Sequence, residues 1–151
     1  MMDDNGRVSS QIFRATRVDE NVVRYINSLL VQLSPDAQKL TADCLRKIFD
    51  ETVVLLATSG EEEIVGMLSL CHAQTPTGSK WWIEDVVVDG ACRGCGLGRQ
   101  LVNSAVGYVR AHGGGQLELT SRPSRVAANG LYQSMGFMRK ETNLYIMPVL
   151  P

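Results

Sequence analysis

Apolar positions recur with two periods along this chain, and the switches between them mark its elements. After a loose polar lead at residues 1–10, residues 11–16 read as a short strand. Asp19 is suited to cap a helix, and Val22, Ile26, Leu29, Leu30 and Leu33 follow at helical spacing. Ser34-Pro35 ends that helix and starts another, because proline suits a first helical position. The second helix is expected over residues 36–49, with Leu40, Cys44, Leu45 and Ile48 on one stripe. Residues 53–57 and 64–71 are strands joined by a turn, which makes a hairpin. Residues 74–79 hold Pro76 and Gly78 and read as a loop; residues 80–88 form a third strand. Leu97, Leu101, Ala105 and Val109 then repeat at four-residue steps on a helix that ends at His112-Gly113-Gly114-Gly115. Residues 116–120 read as strand, and Pro123-Ser124 opens a last helix carrying Ala127, Leu131 and Met135. Residues 137–149 are expected to form one or two closing strands.

At 151 residues the chain is the size of one ordinary domain, and no repeat or linker divides it. A single domain over residues 11–151 is expected. Hydrophobic residues are 44% and charged residues 21%, a globular balance that excludes disordered and low-complexity classes. The net charge of -1 gives no bulk attraction to nucleic acid or anionic lipid. No apolar run reaches the ~20 residues a bilayer span needs, and the acidic start Met1-Met2-Asp3-Asp4 is unlike a secretory signal. The expectation is a cytoplasmic protein with neither nucleic-acid nor membrane partners.

Two of the four cysteines form Cys92-Arg93-Gly94-Cys95. A structural zinc needs four ligands. The one further pair, Cys71-His72, is adjacent on a strand, where neighbours face opposite ways. No metal is expected, and the two loop cysteines are read as fillers between glycines.

Those glycines are the informative feature. A valine strand, Val86-Val87-Val88, leads to Arg93-Gly94-Cys95-Gly96-Leu97-Gly98 and then to an amphipathic helix. A glycine turn at a helix N-terminus gathers unpaired backbone N–H groups in a positive dipole field, which suits a phosphate. The dinucleotide pattern G-x-G-x-x-G fails at Arg99, and no Gly-Lys-Ser/Thr is present for a nucleotide P-loop.

The six residues from Arg93 to Gly98 satisfy R/Q-x-x-G-x-G/A, and the chain here resembles the GNAT superfamily of acetyl-CoA-dependent N-acyltransferases. Ala128-Asn129-Gly130-Leu131-Tyr132-Gln133-Ser134-Met135-Gly136-Phe137 is similar to a second family signature, A-x-x-L-Y-x-x-x-G-F. The element order agrees from about Gln11 onward. The resemblance implies an α/β fold: one mostly antiparallel mixed sheet, splayed at the coenzyme site and flanked by about four helices. It also implies an acetyltransferase acting by direct transfer from acetyl-CoA to a primary amine of a small molecule or peptide.

By the same resemblance, the coenzyme pyrophosphate would lie on the backbone of Arg93, Gly94, Cys95, Gly96, Leu97, Gly98 and Arg99. The pantetheine arm, similar to an extended peptide, would pair with the strand edge at Val86, Val87 and Val88. Many family members carry an asparagine seven residues before the tyrosine; Arg125 stands there, and Asn129 is the candidate to replace it. Tyr132 matches the tyrosine facing the coenzyme sulfur and is the candidate general acid. Holding an alkyl-ammonium neutral at pH 7 costs about 4–5 kcal/mol, so a base or water must take its proton. Glu84 is the first candidate, on the assumption that it shares a strand face with Val86 and Val88, and Asp85 the second. Alternatively these carboxylates serve local hydrogen bonds or attract a cationic substrate. A backbone N–H near Val86 would stabilise the thioester oxygen.

The acceptor is not specified. The stretch from Glu84 to Gly94 looks like glucosamine-phosphate N-acetyltransferases, a Glu-Asp pair before R-G-x-G is also similar to polyamine acetyltransferases, and residues 119–125 look like small GNAT proteins of unassigned substrate. A non-catalytic acyl-CoA-binding module is the rival class. Of Trp81 and Trp82, one is expected in the core and the other lining the acceptor pocket or covering a homodimer surface.

Overall fold

The computed structural model describes residues 10–60 and 62–151. The polar lead, up to residue 9, lies outside the described residues. The chain divides into two compact units, one ending at Thr120 and the other running from Ser121 to Pro151.

The first unit is built on a five-stranded sheet: β1 (Ser10–Arg14), β2 (Val53–Ser59), β3 (Glu63–Thr75), β4 (Gly78–Val88) and β5 (Gln116–Leu119), ordered β1-β2-β3-β4-β5. Each neighbouring pair among the first four strands is antiparallel, and β5 joins β4 in parallel. This is the mixed α/β architecture expected.

Helix α1 (Glu20–Leu33) starts where Asp19 accepts a hydrogen bond from the Val22 N–H at 2.9 Å. Its Ile26 and Leu29 are buried with Leu45 and Phe49 of α2 (Ala42–Glu51) and with Val54, Leu56, Met67 and Val87 of the sheet. Helix α3 (Leu97–Ala111) packs on the strands through Leu97, Leu101, Ala105 and Val109, all buried as their spacing implies. Gly66 admits it closely: a Cβ there would sit 3.3 Å from both Ala57 Cβ and Leu101 Cδ1.

Three expectations are corrected. Ser34 does end α1, but Pro35 does not start α2; Thr41 caps it, accepting from the Cys44 N–H. The link is held outside helical geometry because the Asn27 side chain takes both backbone groups of Leu40, at 2.8 and 3.0 Å. Cys44, placed on the apolar stripe, is exposed. The loop at residues 74–79 shrinks to a tight hairpin, because β3 runs to Thr75 and β4 begins at Gly78.

The second unit contains α4 (Val126–Ser134), with Tyr132 as its buried residue. Ala127, expected on its apolar face, is exposed. The closing strands expected over residues 137–149 are absent among the described residues. Leu144, Tyr145, Ile146, Met147, Val149 and Leu150 are exposed there. The pattern was strand-like, but a strand exists only through pairing, and no ladder forms.

Candidate active site

β4 is the strand that matters, and its two halves differ. Residues 80–83 pair with β3 on one side and with residues 116–119 of β5 on the other. Pairing with β5 stops at Ile83↔Leu119, so β4 runs on to Val88 with that edge unpaired by β5. On the β3 side the register slips: Glu84 faces Ser69, Val87 faces Met67, and Asp85 and Val86 oppose the single residue Leu68. This is a β-bulge, and Asp85 sits at φ 51°, a left-handed value uncommon for a residue other than glycine.

The bulge overturns the face assumed for Glu84. Ser69 and Met67 are two apart on β3 and share a face, so Glu84 lies on the face of Val87, toward α1 and α2. Val88, opposite Gly66, lies on the α3 face. An extra residue in a strand inverts the alternation beyond it. Glu84 and Asp85 are both exposed, Val86 and Val88 half-buried and Val87 buried.

Beyond Val88 the chain turns through Asp89, a short 3₁₀ helix at Gly90–Cys92, and the glycine segment. Arg93 (φ −68°, ψ 153°) and Gly94 (φ 78°) have the dihedral pattern of the central pair of a type II turn. Gly96, the N-cap of α3, is at φ 81° and supplies no side-chain cap. Both glycines are needed for their dihedrals; a Cβ on either would meet only open space. In the first turn of α3, which follows Gly96, the N–H groups of Leu97 and Gly98 have no partner within the helix. The Leu97 side chain is buried and anchors the turn, while Arg93 Nε donates to Val88 O at 3.4 Å.

Asp89 ties this loop down, which the sequence did not signal. Its N–H donates to Val65 O (2.8 Å), and its Oδ1 accepts from the Ala91 N–H (2.9 Å). Its Oδ2 accepts from Gln32 Nε2 of α1 (2.8 Å). The Gln32 amide, then the Ala91 N–H, and finally the charge of Arg93 hold the Asp89 carboxyl below the usual carboxylate range. Cys71 is a second unsignalled neighbour: burial first, and then the charges of Glu84 and Asp85, push its thiol up.

Cys92 and Cys95 border a small cavity of about 60 Å³ with Ser10, Ser59, Ala91 and Leu97. Burial, Asp89 and Cys95 push the Cys92 thiol up. No group of three or more His, Cys, Asp or Glu able to hold a metal occurs among the described residues. Trp81 is the core tryptophan: it is buried and its Nε1 donates to Gly114 O at 3.1 Å, while Trp82 is half-buried. His112 caps the end of α3 and stacks on Tyr108. No helix among the described residues is long and apolar enough to cross a membrane.

In the second unit, Tyr132 is 8% exposed, with the Phe137 ring edge-on at 6.0 Å. Burial pushes its phenol up, and the positive charge of Arg125 acts against that shift. The hydroxyl therefore holds its proton through neutral pH, as a proton donor must. Asn129 is committed locally, donating from Nδ2 to Arg122 O at 2.9 Å. Ser121 Oγ is shielded from solvent without a hydrogen-bond partner among the described residues; no sequence pattern pointed to it.

The residues expected to hold acetyl-CoA fit it in the first unit: a strand edge left free by β5 is followed, past Asp89 and the 3₁₀ helix, by a loop of left-handed glycines and a helix N-terminus without a side-chain cap. The acetyltransferase (GNAT) family model matches residues 21–137. Glucosamine 6-phosphate N-acetyltransferase 1 of rice (Oryza sativa subsp. japonica) is 30% identical over 135 residues, covering 82% of this chain and 79% of that protein. Mycothiol acetyltransferase of Amycolatopsis mediterranei is 33% identical over 135 residues, covering 83% of this chain but 45% of that longer protein. The crystal structure of a Trypanosoma brucei acetyltransferase, 26% identical, matches with a TM-score of 0.75 and covers 93% of this chain and 100% of that one. With a family match over most of its length and a loop built as that family's signature implies, this chain belongs to the acetyltransferase (GNAT) family and is an acyltransferase.

Proposed function

We propose that the chain, taken as one domain over residues 11–151, transfers the acetyl group of acetyl-CoA to a primary amine of a small molecule or peptide. The observation that carries this reading is the continuity of the site. The β4 edge left free by β5 is followed, across Asp89 and the short 3₁₀ helix Gly90–Cys92, by the Gly94–Gly96 turn and the start of α3. The pyrophosphate is assigned to the N–H groups from Gly94 to Gly98, with Arg93 and Arg99 adding positive charge. The pantetheine amides are assigned to the backbone of Val86, Val87 and Val88, in the manner of an added strand. When bound, the coenzyme supplies an acyl group activated as a thioester.

The chain's own residues then divide the work. The bulge takes Asp85 and Val86 out of the ladder with β3, which leaves a backbone N–H for the oxygen on which charge develops. Glu84, exposed on the α1 and α2 face, takes the ammonium proton directly or through water, with Asp85 the alternate. Tyr132 gives its proton to the departing sulfur. Asn129 is assigned to the coenzyme arm through Oδ1, because Nδ2 is engaged with Arg122.

Release of free thiol from acetyl-CoA in the presence of an amine panel tests this reading. Amine-dependent release supports transfer; tight coenzyme A binding without release under any amine would instead identify a non-catalytic acyl-CoA-binding module. An amino-sugar phosphate is the second reading for the acceptor, favoured by the 30% identity with the rice enzyme. Polyamines, amino acids, aminoglycosides and peptide N-termini complete the panel.

A further inference from the structure

We infer that Gln32, the penultimate residue of α1, is a positioning residue that sets the coenzyme loop in its binding geometry. This rests on the assignment of the coenzyme to that loop. Gln32 lies 57 residues from Asp89 in sequence, yet its amide is used at both ends. Nε2 donates to Asp89 Oδ2 at 2.8 Å, and Oε1 accepts from the Gly90 N–H at 2.9 Å. The other carboxylate oxygen of Asp89 holds the Ala91 N–H at 2.9 Å, and its carbonyl holds the Cys92 N–H at 2.9 Å. The Gln32 amide and the Asp89 carboxylate thus fix Gly90 and Ala91, and the Asp89 carbonyl fixes Cys92, the residues that lead the chain from β4 into the Arg93–Gly94 turn.

The chemistry restricts the side chain at this position. The Asp89 carboxylate offers only acceptors and the Gly90 N–H is only a donor, so the bridging group needs one donor and one acceptor attached to a single carbon. A primary amide has both. Glutamate would keep the bond to Gly90 but would set a second carboxylate against Asp89. Leucine would keep much of the volume and lose both bonds. Gln32 is exposed, so its bonds contribute little to global stability. Their effect falls on the loop, where a small displacement of the converging N–H groups weakens every phosphate contact.

The test is a reversal of the donors. In Gln32→Glu with Asp89→Asn, the asparagine Nδ2 can donate to one glutamate oxygen while the other accepts from Gly90. The asparagine Oδ1 continues to hold Ala91, and the summed charge of the two positions is unchanged. Binding of coenzyme A is measured by titration calorimetry, with kcat and KM for acetyl-CoA alongside. Gln32→Leu and Asp89→Asn should each weaken coenzyme A binding roughly 5- to 30-fold, as two lost or rearranged hydrogen bonds imply. KM should rise in parallel, with kcat within about twofold of wild type. Gln32→Glu should be weaker still, and the double variant should return to within about threefold of wild type. Equal coenzyme affinity in wild type and all four variants would overturn the inference alone. So would losses in both single variants that the double variant merely sums. A wild-type protein that binds no coenzyme A would overturn the loop assignment and this inference with it.

Discussion

Residues 80–83 and 84–88 are consecutive halves of β4, yet their backbones are used differently. The first half is paired on both edges, carries the buried Trp81 and Ile83, and belongs to the core. The second half loses its partner on one edge, bulges on the other, and carries the exposed Glu84 and Asp85. The difference teaches where function is placed on a sheet. A fully paired strand has no backbone donors to spare, so binding groups appear where the pairing ends. Ahead of the bulge Glu84 faces α1 and α2, and beyond it Val87 takes that same face while Val88 lies on the α3 face.

Five variants sharpen or break this contrast, the largest effect first. Gly96→Asp should abolish coenzyme A binding, because it sets a carboxylate where a phosphate must lie and a side chain at φ 81°. A folded variant with wild-type affinity, by calorimetry and circular dichroism, would remove the loop from the account. Tyr132→Phe should lower turnover roughly 10²–10⁴-fold, the range for a positioned acid, with coenzyme affinity unchanged. Since burial raises the phenol above its usual range, wild-type activity should not be lost to its ionisation below about pH 10. Glu84→Gln should instead alter the acidic limb of the rate profile, because a base works only when ionised, and alkaline buffer should restore part of its rate. An unaltered profile would move the base to Asp85 or water.

In the paired half the expected damage is to stability. Trp81→Ala should lower unfolding free energy by roughly 3–5 kcal/mol in urea titrations, whereas Glu84→Gln should change it by less than about 0.5 kcal/mol. Comparable losses for the two would mean that the halves are not separate in role. The smallest effect belongs to the loop cysteines: Cys92→Ser with Cys95→Ser should leave the melting temperature within about 2 °C, with no metal released on unfolding. Stoichiometric zinc in the wild type, lost together with the fold in the variant, would show the C-x-x-C to be structural.

The sequence made some of this legible and hid the rest for physical reasons. The glycine loop and α3 were readable because their signals are local: Leu97, Leu101, Ala105 and Val109 keep one period, and left-handed turns favour glycine. The start of α2 was misplaced because Pro35 is a fair helix start taken alone, and the clip from Asn27 to Leu40 spans 13 residues. The bulge left no local mark, since Asp85 and Val86 continue an ordinary strand composition; parity therefore put Glu84 on the wrong face. The strands expected over residues 137–149 rested on composition, which cannot supply a pairing partner. Gln32 and Asp89 were silent because a bridge 57 residues long has no periodicity.

Amide hydrogen exchange, with and without coenzyme A, tests the central claim most directly. The account predicts new protection at Val86, Val87 and Val88 and from Gly94 to Gly98, with residues 80–83 already protected and unchanged. Protection confined to other parts of the chain, or none at Val86–Val88 and the glycine loop in a protein that binds coenzyme A, would contradict it.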